Sequence, residues 1–401
     1  MDPLRALLTR ARGFASFTAH VYGWYALPMV LIGLALFYWV KGYGIDFNAN
    51  VWEPGRAVLH GNSPYPKPQL SALVGHTTFL YPPPLLLLDV PLALLPHAVA
   101  RGLFWILTAS AVLGALRLVG VRDWRVYFCA SLVFPVWYAE VFGNPTLLLL
   151  VPLALAWRHR DEPWAAGVAV GVVVALKLIL WPLGLWLLAT RRYRATGIAV
   201  GTSVATIVLT WARIGFKGLA DYPHLLRMFS ETTAGPRGFT LSTLARQLGL
   251  GSGFAHGLQW ACGIALLALV VALATRADGD RRAFSVALAA ALVITPAVEE
   301  KYLALLLVPL ALARPDFGAS WRLLRWGWIF PLVPRGDYAV IVDHGRVLRS
   351  LGRTPSVPQL LIVLGLIGLI AWVTARPARG VTLPEMEADF RYPSARPAAI
   401  V

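Results

Sequence analysis

Long apolar runs recur along the chain, separated by polar segments rich in glycine and proline. A helix needs roughly 20 apolar residues to cross the hydrocarbon core of a bilayer. The first run, from about Tyr22 to Val40, has this length and predicts a membrane span. Later runs predict further spans, several of them short, at about residues 102–118, 126–142, 145–157, 195–212, 257–275, 283–297, 302–313, 322–333 and 357–375. The pattern predicts an all-α polytopic membrane protein.

Two apolar runs do not fit a simple crossing. Residues 79–96 contain Tyr81-Pro82-Pro83-Pro84 and Asp89, which favours an interfacial or re-entrant helix. Residues 165–189 are too long for one simple helix, so we expect two half-helices that meet near Lys177. If both runs are instead single spans, the chain still crosses about twelve times. Two short arginine-bearing loops then move to the outer face.

Positive charge supports the first arrangement. The net charge is +16, although only 14% of the residues are charged, against roughly a quarter in soluble domains. Membrane proteins gather Arg and Lys in cytoplasmic loops. We therefore expect both termini on the cytoplasmic side of the plasma membrane, and no nucleic-acid partner. The same face collects Arg122, Arg125, Arg158, Arg160, Arg191, Arg192, Arg194, Arg276, Arg281, Arg282, Arg314, Arg322 and Arg325.

The long polar loops fall on the opposite, extracytoplasmic face and comprise residues 42–78, 213–255 and 334–356. We expect residues 1–375 to form a single integral-membrane domain. Residues 376–401 are rich in proline and arginine and predict a disordered cytoplasmic tail. Because the large loops share one face, chemistry is expected there.

Two ionisable residues are candidates for that chemistry. Asp46 follows the first predicted span, and a partly desolvated carboxylate at a membrane boundary suits a general base. A solvated loop aspartate or a helix cap fits the same position. Lys177 is the only lysine inside a deep apolar run, where charges usually face a cavity or a partner. Snorkelling, or an ion pair with Glu140, is the alternative.

Several motifs, in their order and spacing, resemble those of glycosyltransferase family 87. This family comprises polyprenyl-phosphate-sugar-dependent membrane enzymes of the GT-C superfamily, among them mannosyltransferases and an arabinofuranosyltransferase. The resemblance covers about residues 22–313. Its motifs are Asp46-Phe47, Gly61-Asn62-Ser63-Pro64-Tyr65, Leu80-Tyr81-Pro82-Pro83, Gly143-Asn144-Pro145-Thr146-Leu147-Leu148, Lys177 with Pro182, and Thr295-Pro296 with Tyr302-Leu303.

The resemblance implies a GT-C fold with about 10–12 transmembrane helices and a site on the outer face. It implies inverting transfer of a hexose, most readily mannose, from a polyprenyl-phosphate sugar to a glycolipid or polysaccharide acceptor. Asp46 would be the catalytic base that deprotonates the acceptor hydroxyl while polyprenyl phosphate leaves. The bilayer is the third partner.

The leaving phosphate needs cationic stabilisation. No metal-binding spacing such as His-Glu-x-x-His occurs, so we expect a metal-independent reaction without a cofactor. The candidate phosphate ligands are Lys177, Lys301, Arg237 and Arg346. The candidate substrate contacts are Arg56, Tyr65, Tyr81, Asn144 and Glu300, although an arginine such as Arg56 more often lies on a solvated helix face.

The chain departs from the family pattern at two motifs. Lys301 stands near the position where members often carry a histidine, so it either binds the donor phosphate or pairs with Glu299 or Glu300. The Gly-Gln-x-Asn pattern common in relatives reads Gly143-Asn144-Pro145-Thr146 here.

Three other functions fit the composition. They are arabinofuranosyl transfer by the same mechanism, lipid or glycolipid transport without catalysis, and a silent scaffold in envelope assembly. A transporter should show paired inverted repeats and charges near the bilayer midplane. The sequence shows no such repeat, and its distinctive polar residues fall in outer loops.

Overall fold

The computed structural model describes residues 44–68, 79–231, 237–336, 338–343 and 346–375. The predicted span Tyr22–Val40 and the predicted tail, residues 376–401, lie outside these described residues. Helices make up most of the described chain, which confirms the all-α class. One antiparallel hairpin is the exception among the described residues; it pairs β1 (Tyr338–Asp343) with β2 (Arg346–Arg353).

The helices are numbered in chain order. They are α1 (Ile45–Phe47), α2 (Glu53–Leu59), α3 (Leu86–Ala93), α4 (His97–Leu118), α5 (Trp124–Ser131), α6 (Phe134–Phe142), α7 (Leu150–Arg158), α8 (Pro163–Leu176), α9 (Pro182–Ala189), α10 (Tyr193–Arg213), α11 (Tyr222–Phe229), α12 (Leu241–Gln247), α13 (Ser252–Ala274), α14 (Gly279–Ile294), α15 (Leu307–Ala313), α16 (Ala319–Leu324) and α17 (Val357–Ala375). Shorter segments join some of them: the π-helix Asn48–Trp52 and the 3-10 helices Pro83–Leu85, Pro145–Leu149, Leu178–Leu180, Glu300–Leu306 and Arg325–Leu332.

Four of the described helices, α4, α10, α13 and α17, are long and apolar enough to cross a membrane. A fifth candidate is α6 together with Pro145–Arg158, which passes the same test but bends by 120° at its break. These helices confirm a polytopic membrane protein. The expected 10–12 crossings stay a prediction, because several other apolar helices in the described residues are shorter than a crossing.

The helices break where their regular pattern of backbone hydrogen bonds cannot continue. The predicted division of residues 165–189 is confirmed: Lys177 is extended, with φ −148° and ψ 93°, between α8 and Leu178–Leu180. The single span predicted over residues 126–142 is wrong, because α5 ends at Ser131 and α6 begins at Phe134. Pro135 lacks an N–H and its ring would clash with a preceding helical turn, which favours a break here; Pro135 lies in the first turn of α6.

The predicted outer loops contain regular structure in their described parts. Residues 44–59 are helical, α11 and α12 lie within 213–255, and the hairpin lies within 334–356. Residues 79–96 form a 3-10 turn and the eight-residue α3, which rises only about 12 Å. This segment is therefore too short to cross as one helix, as predicted.

The main core lies among α7, α8, α9, α14 and α15, where buried apolar side chains interlock. Trp157, Trp186 and Phe284 pack ring against ring at its centre. By contrast, α4, α10 and α13 expose large apolar side chains outward, such as Trp105 and Ile264. Lipid-facing helices show this distribution, since hydrocarbon tails solvate apolar groups.

Candidate active site

Asp46 lies on α1, held against the end of α6. Gly44 precedes it in the left-handed conformation, with φ 72°, and donates its N–H to the Val141 carbonyl at 2.9 Å. This turn directs the chain into α1 and leaves Asp46 only 9% exposed. The carboxylate is thus fixed at the boundary of the helical core, as its position after an apolar run suggested.

The break after α6 supplies the first partner of Asp46. Gly143 ends α6 with φ 68°, a conformation that side chains with a Cβ adopt at a cost. Asn144 then caps the segment Pro145–Leu149 by accepting the Thr146 N–H at 2.9 Å. The other end of the Asn144 amide donates to Asp46 Oδ2 at 2.7 Å. One asparagine therefore caps a helix and orients the carboxylate.

Lys301 supplies the second partner, from the segment that follows α14. Its ammonium donates to Asp46 Oδ2 and also lies 3.0 Å from Glu299 Oε2. Burial opposes ionisation of Glu299, but the charge and hydrogen bond of Lys301 hold the pKa of that carboxyl below its ordinary value. Lys301 therefore pairs with Glu299, one of the expected alternatives, and in addition with Asp46.

Lys177 enters from the opposite side, at the break between α8 and α9. Its ammonium donates to Thr146 Oγ1 at 2.8 Å and lies 3.2 Å from the ring centroid of Tyr302 and 5.4 Å from that of Tyr81. Lys177 is only 6% exposed, and within the described part of the chain no carboxylate lies within ion-pair distance of it. Aromatic faces partly offset the cost of burying this cation.

The alternative ion pair between Lys177 and Glu140 does not form. Glu140 instead accepts a hydrogen bond from Thr108 of α4 at 2.7 Å. Lys177 is close enough to Asp46, Glu299 and Lys301 for their charges to interact with its ammonium group. It therefore belongs to the same cluster as Asp46.

The two predicted tyrosines differ in their positions. Tyr81 reaches the cluster, since its hydroxyl donates to Asn144 Oδ1 at 3.4 Å. Tyr65 lies behind Tyr81 and donates its hydroxyl to the Tyr81 carbonyl at 2.9 Å. Its ring stacks on Trp211, with centroids 5.0 Å apart. Tyr65 therefore supports the segment that carries Tyr81.

The structure does not bring the remaining candidates into contact with Asp46. Glu300 is buried and faces Arg335, at 3.9 Å, while Arg56 lies on an exposed part of α2 beside the ring of Trp52. Arg237 is exposed, and its charge acts on Glu299. Arg346 begins β2, and its side chain lies outside the described part of the structure. Their substrate roles stay predictions.

Two side chains in the cluster had no role assigned from the sequence. Thr146 accepts from Lys177, and Tyr302 forms the face beneath the same ammonium. Both stand within motifs that sequence analysis singled out, beside Asn144 and Lys301. Their positions beside Asn144 and Lys301 could have singled them out. The sequence does not show which way each side chain points.

The arrangement combines a nearly buried carboxylate with two ammonium groups and aromatic walls. A carboxylate in such a site accepts a proton from a hydroxyl, and buried ammonium groups stabilise a phosphate. In the described residues, no three His, Cys, Asp or Glu side chains are grouped to hold a metal ion. The site therefore offers acid–base chemistry beside an anion-binding position.

Comparison with known proteins points to one family. The model of glycosyltransferase family 87 matches residues 79–298. A polyprenol-phosphate-mannose-dependent alpha-(1-2)-phosphatidylinositol pentamannoside mannosyltransferase of Mycolicibacterium smegmatis is 27% identical over 215 residues, 50% of this chain and 51% of that protein. The protein of the same name in Mycobacterium tuberculosis is 26% identical over 340 residues, 80% of this chain and 75% of that protein.

A third relative has a different sugar in its name. An alpha-(1->3)-arabinofuranosyltransferase of Mycobacterium tuberculosis is 32% identical over 146 residues, 32% of this chain and 33% of that protein. The chain thus spans about half the length of the first mannosyltransferase and a third of the arabinofuranosyltransferase. No solved structure is similar to the chain.

Proposed function

The chain belongs to glycosyltransferase family 87, and from this premise we propose that it transfers a hexose, most readily mannose, from a polyprenyl-phosphate sugar to a glycolipid or polysaccharide acceptor. The reaction inverts the anomeric centre and takes place on the extracytoplasmic face, with Asp46 as general base. Mannose is favoured because the relatives matched over half or more of this chain carry mannose in their names. Arabinofuranose is the alternative sugar, because a relative with a shorter match to this chain is an arabinofuranosyltransferase by name.

One observation carries this proposal: a carboxylate and a buried ammonium without a carboxylate partner flank the same segment, Asn144–Thr146. Asp46 accepts two hydrogen bonds from described residues, and both end on Oδ2. Oδ1 accepts neither of them. A hydroxyl on Oδ1 and a phosphate on Lys177 would therefore be held side by side.

The transfer follows from these two positions. Asp46 takes the proton of the acceptor hydroxyl, and the acceptor oxygen forms a bond with the anomeric carbon of the donor sugar. The bond between that carbon and the phosphate oxygen breaks, and polyprenyl phosphate leaves with the electron pair. Lys177 and Lys301 stabilise the added negative charge on the phosphate. These ammonium groups fill the electrostatic role of a metal ion, so we propose a metal-independent reaction.

The prenyl chain of the donor needs an apolar path beside the phosphate. Leu178, directly after Lys177, and Trp181, four positions after it, expose 43% and 45% of their surfaces. Apolar side chains exposed at the edge of a helical membrane protein contact hydrocarbon. We place the first isoprene units against these two residues.

The test is a transfer assay with the purified full chain in detergent. Short-chain polyprenyl-phosphate mannose is the donor, phosphatidylinositol mannosides and free mannosides are the acceptors, and polyprenyl-phosphate arabinose and a nucleotide-linked mannose are donor controls. We expect product from a polyprenyl-phosphate donor and none from the nucleotide sugar, with no change in excess EDTA.

Three outcomes would contradict the proposal. Transfer from the nucleotide sugar would refute the donor class. Loss of activity in EDTA, restored by a divalent ion, would refute metal independence. Absence of product from every lipid-phosphate donor, with accelerated movement of the donor across vesicle bilayers, would identify a transporter.

A further inference from the structure

A cavity of about 370 Å³ lies at the opposite end of α14 from Asp46. The end of α9, the turn into α10 and the end of α13 enclose it, together with Asp280 at the start of α14. The 16 residues of α14 rise about 24 Å before the chain reaches Glu299 and Lys301. The cavity is therefore remote from the candidate active site and has no part in the proposed transfer.

One arginine in the cavity is already fixed by carboxylates. Arg192 donates to Asp280 at 2.9 and 2.8 Å and to Asp161 at 2.8 Å. Asp280 also accepts from the indole of Trp186 at 2.7 Å and pairs with Arg160 at 3.2 Å. Asp161 and Asp280 are thus already paired with arginines of this chain.

Two further arginines line the same cavity and remain available. Arg191 and Arg276 are exposed, and none of the carboxylates in the described part of the chain lies within ion-pair distance of either. The cavity therefore has two guanidinium groups that form no ion pair with the described carboxylates. Guanidinium groups bind phosphate oxygens in bidentate geometry, which makes a phosphate the fitting ligand.

The end of α9 explains how Arg191 comes to line the cavity. The Arg192 N–H donates to the Leu187 carbonyl at 2.9 Å, which closes the end of α9 in a Schellman-type turn. Arg191 occupies the left-handed position of this turn, with φ 61°, where glycine is usual. The turn therefore places the Arg191 side chain at the rim of the cavity.

The helices that end at the cavity expose large apolar side chains. Leu188 and Tyr193, close to Arg191 and Arg192 in the sequence, are 46% and 63% exposed. Val200 of α10 and Val271 of α13 continue the apolar surface away from the cavity. Both α10 and α13 are long and apolar enough to cross a membrane. A phosphate in the cavity would therefore have hydrocarbon beside it.

We propose that this cavity binds the headgroup of an anionic phospholipid. The phosphate contacts Arg191 and Arg276, Arg192 stays paired with its carboxylates, and the acyl chains follow the exposed faces of α10 and α13. Anionic headgroups are attracted to clustered arginine at a membrane surface. The site does not depend on the reaction proposed above.

The experiment measures lipid binding by the purified full chain in detergent. Dioleoyl phosphatidylglycerol, dioleoyl phosphatidylcholine and inorganic phosphate are titrated separately, and binding is followed by native mass spectrometry and by the unfolding midpoint. We expect phosphatidylglycerol to bind more tightly than phosphatidylcholine. The double variant R191Q/R276Q should weaken phosphatidylglycerol binding by about tenfold, because two charge-assisted contacts are lost.

A matched control separates this cavity from general positive charge. R117Q/R122Q removes two exposed arginines from the same end of the molecule, outside the cavity, and should leave binding within twofold. If R191Q/R276Q does not fold, Thr275→Glu places a negative charge on the exposed cavity rim and should weaken binding equally. Equal loss in the control pair, no preference for phosphatidylglycerol, or the same stabilisation by inorganic phosphate would overturn the proposal.

Discussion

Asp46 accepts both of its described hydrogen bonds on one carboxylate oxygen, from Asn144 and Lys301. This geometry holds the carboxylate in one orientation, and Oδ1 accepts neither of these hydrogen bonds. Lys177 has the complementary property, because its described partners are a hydroxyl and aromatic faces rather than a carboxylate. At the scale of single residues, the proposed base and the proposed phosphate ligand are therefore different side chains, and each has its own test.

Replacement of Lys177 by Gln should weaken donor binding specifically. Loss of a buried charge–phosphate contact costs about 2 kcal/mol, or roughly a 30-fold rise in donor Kd. The KM of the acceptor should stay within about twofold. Titration of a fluorescent short-chain donor measures the first quantity and steady-state kinetics the second. Lys217→Gln, in an exposed segment away from the cluster, is the matched control. Unchanged donor binding in K177Q would contradict the assignment.

Asn144→Ser tests the positioning of the base. Serine still caps the segment Pro145–Leu149, but its side chain is too short to donate to Asp46. We expect kcat to fall roughly 10- to 100-fold, since a misplaced catalytic group is costly. The donor Kd and the unfolding midpoint should stay near wild type. A variant with unchanged kcat would show that the 2.7 Å contact between Asn144 and Asp46 does not orient the base.

At this scale, the sequence singled out most side chains of the cluster, but it assigned no role to Thr146 and Tyr302 and did not predict the contacts. Asp46 and Lys177 stood out because each is a charged residue beside or within an apolar run. The link through Thr146 was not predictable, since nothing local specifies which side chain meets an ammonium from another helix. The same holds for Lys301, whose sequence neighbours are glutamates and whose further partner is Asp46.

At the scale of elements, helix breaks place the site. The break at Lys177 was predictable, because a lysine interrupts a long apolar run. The break between α5 and α6 was not, since apolar residues continue through it and only Pro135 marks it. The break at Gly143 brings α6 against α1, and a Cβ at Gly143 would lie 2.7 Å from Phe47 Cβ. This close approach fixes the residue next to Asp46.

Gly143→Ala should therefore displace α1 as well as strain the turn. The left-handed backbone alone costs about 1 kcal/mol, and the clash with Phe47 adds to it. We expect a clear fall in both the unfolding midpoint and kcat. Gly61→Ala is the control, because its φ of 74° is similar and no atom lies within 4 Å of the added Cβ. Equal effects of the two substitutions would show that the contact with Phe47 is unimportant.

At the scale of the whole molecule, α14 connects the arginine–aspartate cluster near the cavity to the candidate active site. Its first residues lie among paired arginines and aspartates, and its last residue leads to the cluster around Lys301. The family match covers residues 79–298, so Asp46 and Lys301 lie outside it and meet the matched segment only in the folded chain. The sequence predicted the helical membrane class, which the described helices confirm, while the orientation of the arginine-rich face stays a prediction. It also grouped Asp46 and Lys301 in one candidate site, but it did not predict that these two side chains pair directly.

The central claim is that Asp46 acts as the base while the two lysines bind the donor phosphate. The most direct measurement compares Asp46→Asn with wild type in single-turnover transfer from polyprenyl-phosphate mannose, with donor Kd determined on the same samples. We expect a loss of roughly 10²- to 10⁴-fold in rate, the usual contribution of a general base, with donor Kd within about threefold. Wild-type rates in Asp46→Asn would contradict it, and so would a loss explained entirely by weaker donor binding.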